Sequence, residues 1–141
     1  MIADPDKQFL RQAYEQAMEG LREGGKPIGA ILVDDGRVIA SGRNRSNQTG
    51  DLTAHAEMDC LRDAGPLAAR SGLALYTTMS PCLMCSGAIV YLGIRRVVVG
   101  EATSFPGHPE LLREHGVEVA IVDDPDCLEL AKRFIDGGSD E

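Results

Sequence analysis

The stretch "TMSPCLMCSGAI", residues 78 to 89, sets Cys82 and Cys85 three positions apart directly behind Pro81. A C-x-x-C pair serves thioredoxin-like redox chemistry, half of a metal site, or ordinary packing of two small apolar side chains. The stretch by itself leaves all three open. Its surroundings narrow the choice. "LALYTTM" (73–79) reads as a short apolar strand, and Ser80-Pro81 begins a helix running to about Leu92, because proline suits a first helical turn. The cysteines thus fall at a helix start, where the positive end of the dipole lowers a thiol pKa and favours metal-ready sulfur.

Working outward, residues 4–23 open with "DPDKQF", an N-cap Asp4 followed by Pro5, and Phe9, Leu10, Ala13, Ala17, Met18 and Leu21 recur at helical spacing. "PIGAILVDDGRVIASGRN" holds two β-rich runs joined by Asp35-Gly36, which predicts a hairpin over roughly 28–42. "TAHAEMDCLRDA" (53–64) is helical in composition with Thr53 as its N-cap. Downstream, "IRRVVVG" (94–100) and "VEVAIV" (117–122) are strands separated by a short helix near "PELLREH", and "DPDCLELAKRFI" (124–135) is a capped closing helix. The order α-β-β-α-β-α-β-α-β-α predicts an α/β sheet covered by helices on both faces.

His55 stands 27 positions before Cys82 (82 − 55), each at the start of a predicted helix. Three such ligands can converge on one ion, and one imidazole with two thiolates leaves a fourth position for water, the catalytic rather than the structural zinc pattern. Glu57 follows His55 by two residues, which on a continuous helix is a turn of about 200°. Close to a helix start its carboxylate can still fold back toward a water acidified by zinc and serve as base and acid. "HAE" with "PCLMC" matches the H-x-E…P-C-x-x-C signature of zinc-dependent deaminases. The redox reading recedes accordingly.

Composition bounds the alternatives. At 141 residues, 43% hydrophobic and 26% charged, the chain can bury a core without disulfides. Its start carries no basic region or apolar run of signal-peptide length, and no run of 18 apolar residues occurs, so a cytoplasmic protein with no membrane partner is expected. Its thiols should then be reduced, and Cys60 and Cys127 read as small buried residues. The balance of 14 basic against 22 acidic residues gives −8, the wrong sign for a nucleic-acid binder. Met79 and Met84 read as core filler, and His108 and His115 as ordinary polar residues.

From about residue 5 to residue 135 the chain resembles the cytidine/deoxycytidylate deaminase superfamily, most of all fungal-type cytosine deaminases and bacterial nucleoside deaminases. "EGGKPIGAILV", "TAHAEM", "LYTTMSPCLMCSGAI", "RRVVVGE" and "VDDPDCLELAKRFI" carry the likeness. At this length one domain is expected over residues 1–141, with 136–141 a frayed tail of small polar residues, and the resemblance makes it a zinc-dependent deaminase domain. The resemblance implies a three-layer α/β/α cytidine-deaminase-like fold with a central five-stranded mixed sheet flanked by helices. It also implies one Zn2+ per chain on His55, Cys82 and Cys85, Glu57 as proton shuttle, and Asn44 as the asparagine that hydrogen-bonds the base with both a donor and an acceptor. Ile28 and Phe105 are expected to line the base pocket, the N–H groups of Ala56 and Cys82 to face the substrate and reacting centre, and the Ser80 carbonyl to accept from the amino group. A homodimer formed through helices beside the metal is implied as well.

The reaction this implies is hydrolytic deamination of a free pyrimidine base, cytosine to uracil plus ammonia, in pyrimidine salvage. Fungal-type enzymes continue into an acidic-aromatic tail over the site, whereas this chain ends in "FIDGGSDE" without Trp. A more open site taking another small amine, such as guanine, a nucleoside or creatinine, is therefore the alternative. A tRNA adenosine deaminase shares the zinc motif but needs a basic surface. A non-catalytic zinc domain would have no need of Glu57, and a thiol-disulfide protein would need only the cysteines.

Overall fold

The computed structural model describes residues 2–67 and 70–136. The chain runs α1 (Asp4–Arg22), β1 (Gly29–Asp34), β2 (Arg37–Arg43), α2 (Ser46–Thr49), α3 (Ala56–Ala64), β3 (Leu73–Met79), α4 (Leu83–Tyr91), β4 (Arg96–Glu101), α5 (Pro109–Glu114), β5 (Glu118–Ile121) and α6 (Pro125–Asp136). Five strands form one mixed sheet in the order β2-β1-β3-β4-β5. β1 pairs antiparallel with β2 and β3, while β3, β4 and β5 run parallel. This is the expected α/β architecture.

Strand alternation builds both cores. Ala30, Leu32, Leu75, Val97 and Val99 enter the larger cluster with residues of α3, α4 and α5. Ile31, Val33, Tyr76 and Val98 point the other way, against Leu10 and Ala13 of α1. Leu32 and Leu75 are fully buried, worth about 1.5–3 kcal/mol each relative to exposure. A buried polar tie joins α1 to the sheet: Asp6 accepts two bonds from the Arg96 guanidinium, at 2.8 and 2.9 Å, and one from the Tyr76 hydroxyl. The Arg96 bonds hold the Asp6 carboxyl well below the usual range.

The hairpin turns at Asp35 and Gly36, with φ of 49° and 84°, the double left-handed pair of a type I′ turn. Gly42 brings α3 onto the edge strand: a Cβ there would overlap the Cys60 amide and come within 2.7 Å of the Ala56 carbonyl. Asp59 and Asp63 of α3 then accept from the outward Arg43 and Ser41 amides, satisfying an otherwise open edge.

Helix starts differ from the sequence reading. Ala3, not Asp4, is the N-cap of α1, with the Asp6 carboxylate accepting the Ala3 amide. His55, not Thr53, is the N-cap of α3, and Cys82 that of α4, so the latter helix begins two residues after Pro81. Thr53 instead bonds Asp51. The short α2 was not expected, because four polar residues carry no apolar period. Of the expected frayed end, residues 137–141 lie outside the described residues, and Asp136 closes α6.

Candidate active site

β2 ends at Arg43, β3 at Met79 and β4 at Glu101, and β1 begins at Gly29, so four strands present these ends along one edge of the sheet. Crevices outside the carboxyl ends of parallel strands are the usual ligand sites of such sheets. Ile28, Asn44, His55, Ala56, Glu57, Met79, Ser80 and Cys82 line a cavity there. Seven of these, Ile28, Asn44, His55, Ala56, Glu57, Ser80 and Cys82, are expected site residues. Phe105 is absent from this lining; it is half-buried and packs against the larger core cluster.

His55 and Cys82 each occupy the residue just ahead of a helix, with extended φ, ψ of −71°, 158° and −71°, 178°. Cys85 lies in the first turn of α4. His55 Nδ1 is 3.4 Å from Cys82 Sγ and 3.7 Å from Cys85 Sγ. Tetrahedral zinc with its ordinary bond lengths separates a nitrogen and a sulfur ligand by about 3.6 Å. The three donors therefore fit that ion as placed, and they form the only His/Cys/Asp/Glu group so arranged among the described residues.

The two thiols are pushed in opposite directions. The hydrogen bond from Cys85, with His55 alongside, lowers Cys82 to about 4 against the cost of burial. The same bond, then burial and the nearby Glu57 charge, push Cys85 up. Cys60 and Cys127 are the small buried residues expected, with burial raising both thiols.

Glu57 is buried at 4% exposure. Because His55 precedes the helix, the 200° rotation of a continuous helix does not apply, and Glu57 shares the cavity with it. Its Oε2 accepts from Thr77 Oγ1 at 3.2 Å and its Oε1 faces Cys85 Sγ at 3.6 Å. Thr77 was not singled out from sequence; a polar residue inside the apolar run 73–79 was the available signal. Met79, read as filler, belongs to the core and also lines the cavity.

Asn44 is 0% exposed. Its Oδ1 accepts both the Ser46 amide, at 3.0 Å, and the Ser46 hydroxyl, at 2.8 Å. An amide N–H can only donate, so this fixes which end of the carboxamide is oxygen. Its Nδ2 is buried without a hydrogen-bond partner among the described residues. Asn44 thus offers the cavity a donor, while its acceptor is committed to Ser46. His108 and His115 stand at the two ends of α5, away from this cavity.

A deeply buried carboxylate beside one imidazole and two thiols that would hold a zinc ion is the donor set of a zinc-dependent hydrolase site. Residues 3–101 match the model of the cytidine and deoxycytidylate deaminase zinc-binding region, and the chain belongs to that family. It is a deaminase, cleaving a C–N bond hydrolytically. It is 41% identical over 133 residues to the cytosine deaminase of Candida albicans, covering 92% of this chain and 89% of that protein. It is also 41% identical over 95 residues to the tRNA-specific adenosine deaminase of Agrobacterium fabrum, covering 65% of this chain and 62% of that one. A solved structure from a study of A-to-I editing by tRNA:A34 deaminases superposes with a TM-score of 0.78 at 32% identity, covering 88% of this chain and 99% of that one.

Proposed function

We propose that the protein converts a free pyrimidine base, cytosine, to uracil and ammonia. The observation that carries the reading is the orphaned Asn44 Nδ2, a buried donor in the same cavity as Glu57. Leaving such a group unpaired costs about 1–3 kcal/mol, so the fitting ligand brings an acceptor to it, as the cytosine carbonyl does. The likeness to a cytosine deaminase over most of both chains supports the base. The charge of −8 weighs against a polyanionic tRNA, in spite of the shared zinc motif.

In this reading His55, Cys82 and Cys85 hold zinc, which when bound supplies Lewis acidity that makes water nucleophilic near neutral pH. Glu57 accepts a proton at its carboxylate from the attacking water and hands it to the ring nitrogen, then takes the remaining proton of the hydroxyl added to the ring carbon and passes it to the amine, which leaves as ammonia as the new carbonyl forms. Thr77 holds Oε2 during the transfer. Asn44 and the backbone N–H of Ala56 orient the ring, Ile28 packs against it, and the Ser80 carbonyl accepts from the amino group.

A homodimer belongs to the same proposal. α4 is apolar nearly all round and exposes Leu83 at 61% and Tyr91 at 87%, a pattern of helices with a packing partner. Among the described residues no helix is long and apolar enough to cross a membrane. The test is ammonia release by zinc-loaded protein offered cytosine, 5-methylcytosine, cytidine, deoxycytidine, guanine, adenine, creatinine and a tRNA anticodon stem-loop. Highest kcat/KM on cytosine is expected. Preference for any other compound overturns the substrate.

A further inference from the structure

Three buried carboxylates stand among the described residues: Asp6, Glu57 and Glu101. Arg96 accounts for the first and the reaction for the second. Glu101, at 1% exposure, has no ion-pair partner among the described residues. It sits at the end of β4, paired with Met79, and its carbonyl accepts the Ser80 amide at 3.0 Å. Its carboxylate turns the other way, into the segment that follows: Oε1 accepts the Thr103 and Ser104 amides, each at 2.9 Å, and Oε2 accepts the Ser104 hydroxyl. A neutral side chain could not so readily take three converging donors. Burying a charge without a cation is justified only if those bonds are made.

The segment so gathered returns to the cavity wall. Ser80 Oγ donates to the Pro106 carbonyl at 3.0 Å. Gly107 follows with φ of 65°, and a Cβ there would overlap Ser80 Oγ and come within 2.8 Å of the Pro81 carbonyl. Ser80 is thus gripped on its amide by Glu101 and on its hydroxyl by the loop that Glu101 folds. Ser80 lines the cavity two residues before Cys82.

We infer that Glu101 is a positioning residue for substrate recognition, fixing residues 102–107 against Ser80 and so setting the cavity wall on the amino-group side. This rests on the cavity being the base site proposed above. The consequence is a change in KM with kcat nearly kept, because Glu57 and the zinc ligands are held by other elements.

The test compares zinc-loaded full-length Glu101→Met, Glu101→Gln and Ser104→Ala with Val98→Ala, a core change on the opposite sheet face that sets the effect of lost stability alone. Steady-state ammonia release from cytosine gives KM and kcat, and amide hydrogen exchange follows Thr103, Ser104 and Ser80. Glu101→Met should raise KM about tenfold or more, leave kcat within about threefold, and speed exchange at all three amides. Glu101→Gln, whose carbonyl can still accept both amides, should restore most of the KM. If Glu101→Met does not fold, Ser104→Ala is expected to raise KM about threefold with wild-type kcat. Unchanged KM and exchange overturn the inference, as does an equal KM rise in Val98→Ala. A wild-type protein silent on cytosine would instead fail the substrate proposal, and exchange at the three amides would still decide the Glu101 anchor.

Discussion

Replacing Asn44 by aspartate changes a single group, NH2 to O, at a site with no solvent exposure. The Ser46 amide and hydroxyl still find an oxygen, so the local turn keeps both its bonds. What changes is the end with no partner among the described residues, from a donor to an acceptor. A lost hydrogen bond costs about 0.5–1.5 kcal/mol, and two acceptors left facing one another in a buried site cost about 1–3 kcal/mol more. A total of about 2–4 kcal/mol corresponds to a fall of about 30- to 1000-fold in kcat/KM. Ammonia release from cytosine, with zinc content measured in the same samples, reads this directly. The deficit should shrink as pH falls, because burial raises the new carboxyl's pKa and its protonated form donates again. Asn44→Asp within threefold of wild type at neutral pH would refute the assignment of Asn44 as the donor to substrate.

Zinc uptake should be coupled to loss of one thiol proton between pH 7.5 and 8.5, above the usual imidazole range of about 6.5. Cys82, lowered to about 4, is already a thiolate there, while the raised Cys85 still carries its proton. Affinity should therefore rise about tenfold per pH unit, and competition titrations with a chelator showing a flat or a hundredfold slope would contradict this opposed pair of thiols. Arg96→Met should lower stability by about 3–5 kcal/mol at pH 7, since it leaves Asp6 charged and buried without its cation. Asp6 has a folded pKa depressed below its unfolded value, so its contribution is present above about pH 4 and is lost as pH falls through the folded value. Urea unfolding should accordingly show the gap between wild type and Arg96→Met narrowing in acid, and a gap independent of pH would argue against the pair.

The sheet and the metal triad could be read from residues because each has a local signature. The unbroken apolar runs "AILV" and "VVV", the Asp35-Gly36 turn and the H-x-E and P-C-x-x-C spacings all act over a few positions. Helix starts were displaced because the residue before each helix is chosen by tertiary demand: His55 and Cys82 leave the helical conformation just where their side chains meet. The directional character of Asn44 depends on Ser46 consuming its acceptor, which composition does not express. Thr77 against Glu57 spans 20 residues, and Glu101 reaches Ser80 only through strand pairing and a loop. Such links are made by the fold, and no spacing rule reaches them.

Zinc content and turnover of Glu57→Gln, measured side by side with wild type, show whether Glu57 carries the protons of the reaction. The amide keeps the shape of the buried side chain but cannot take a proton from water. One zinc per chain and a loss of about 10²–10⁴-fold or more in kcat are expected. Undiminished turnover with zinc bound would remove Glu57 from the chemistry.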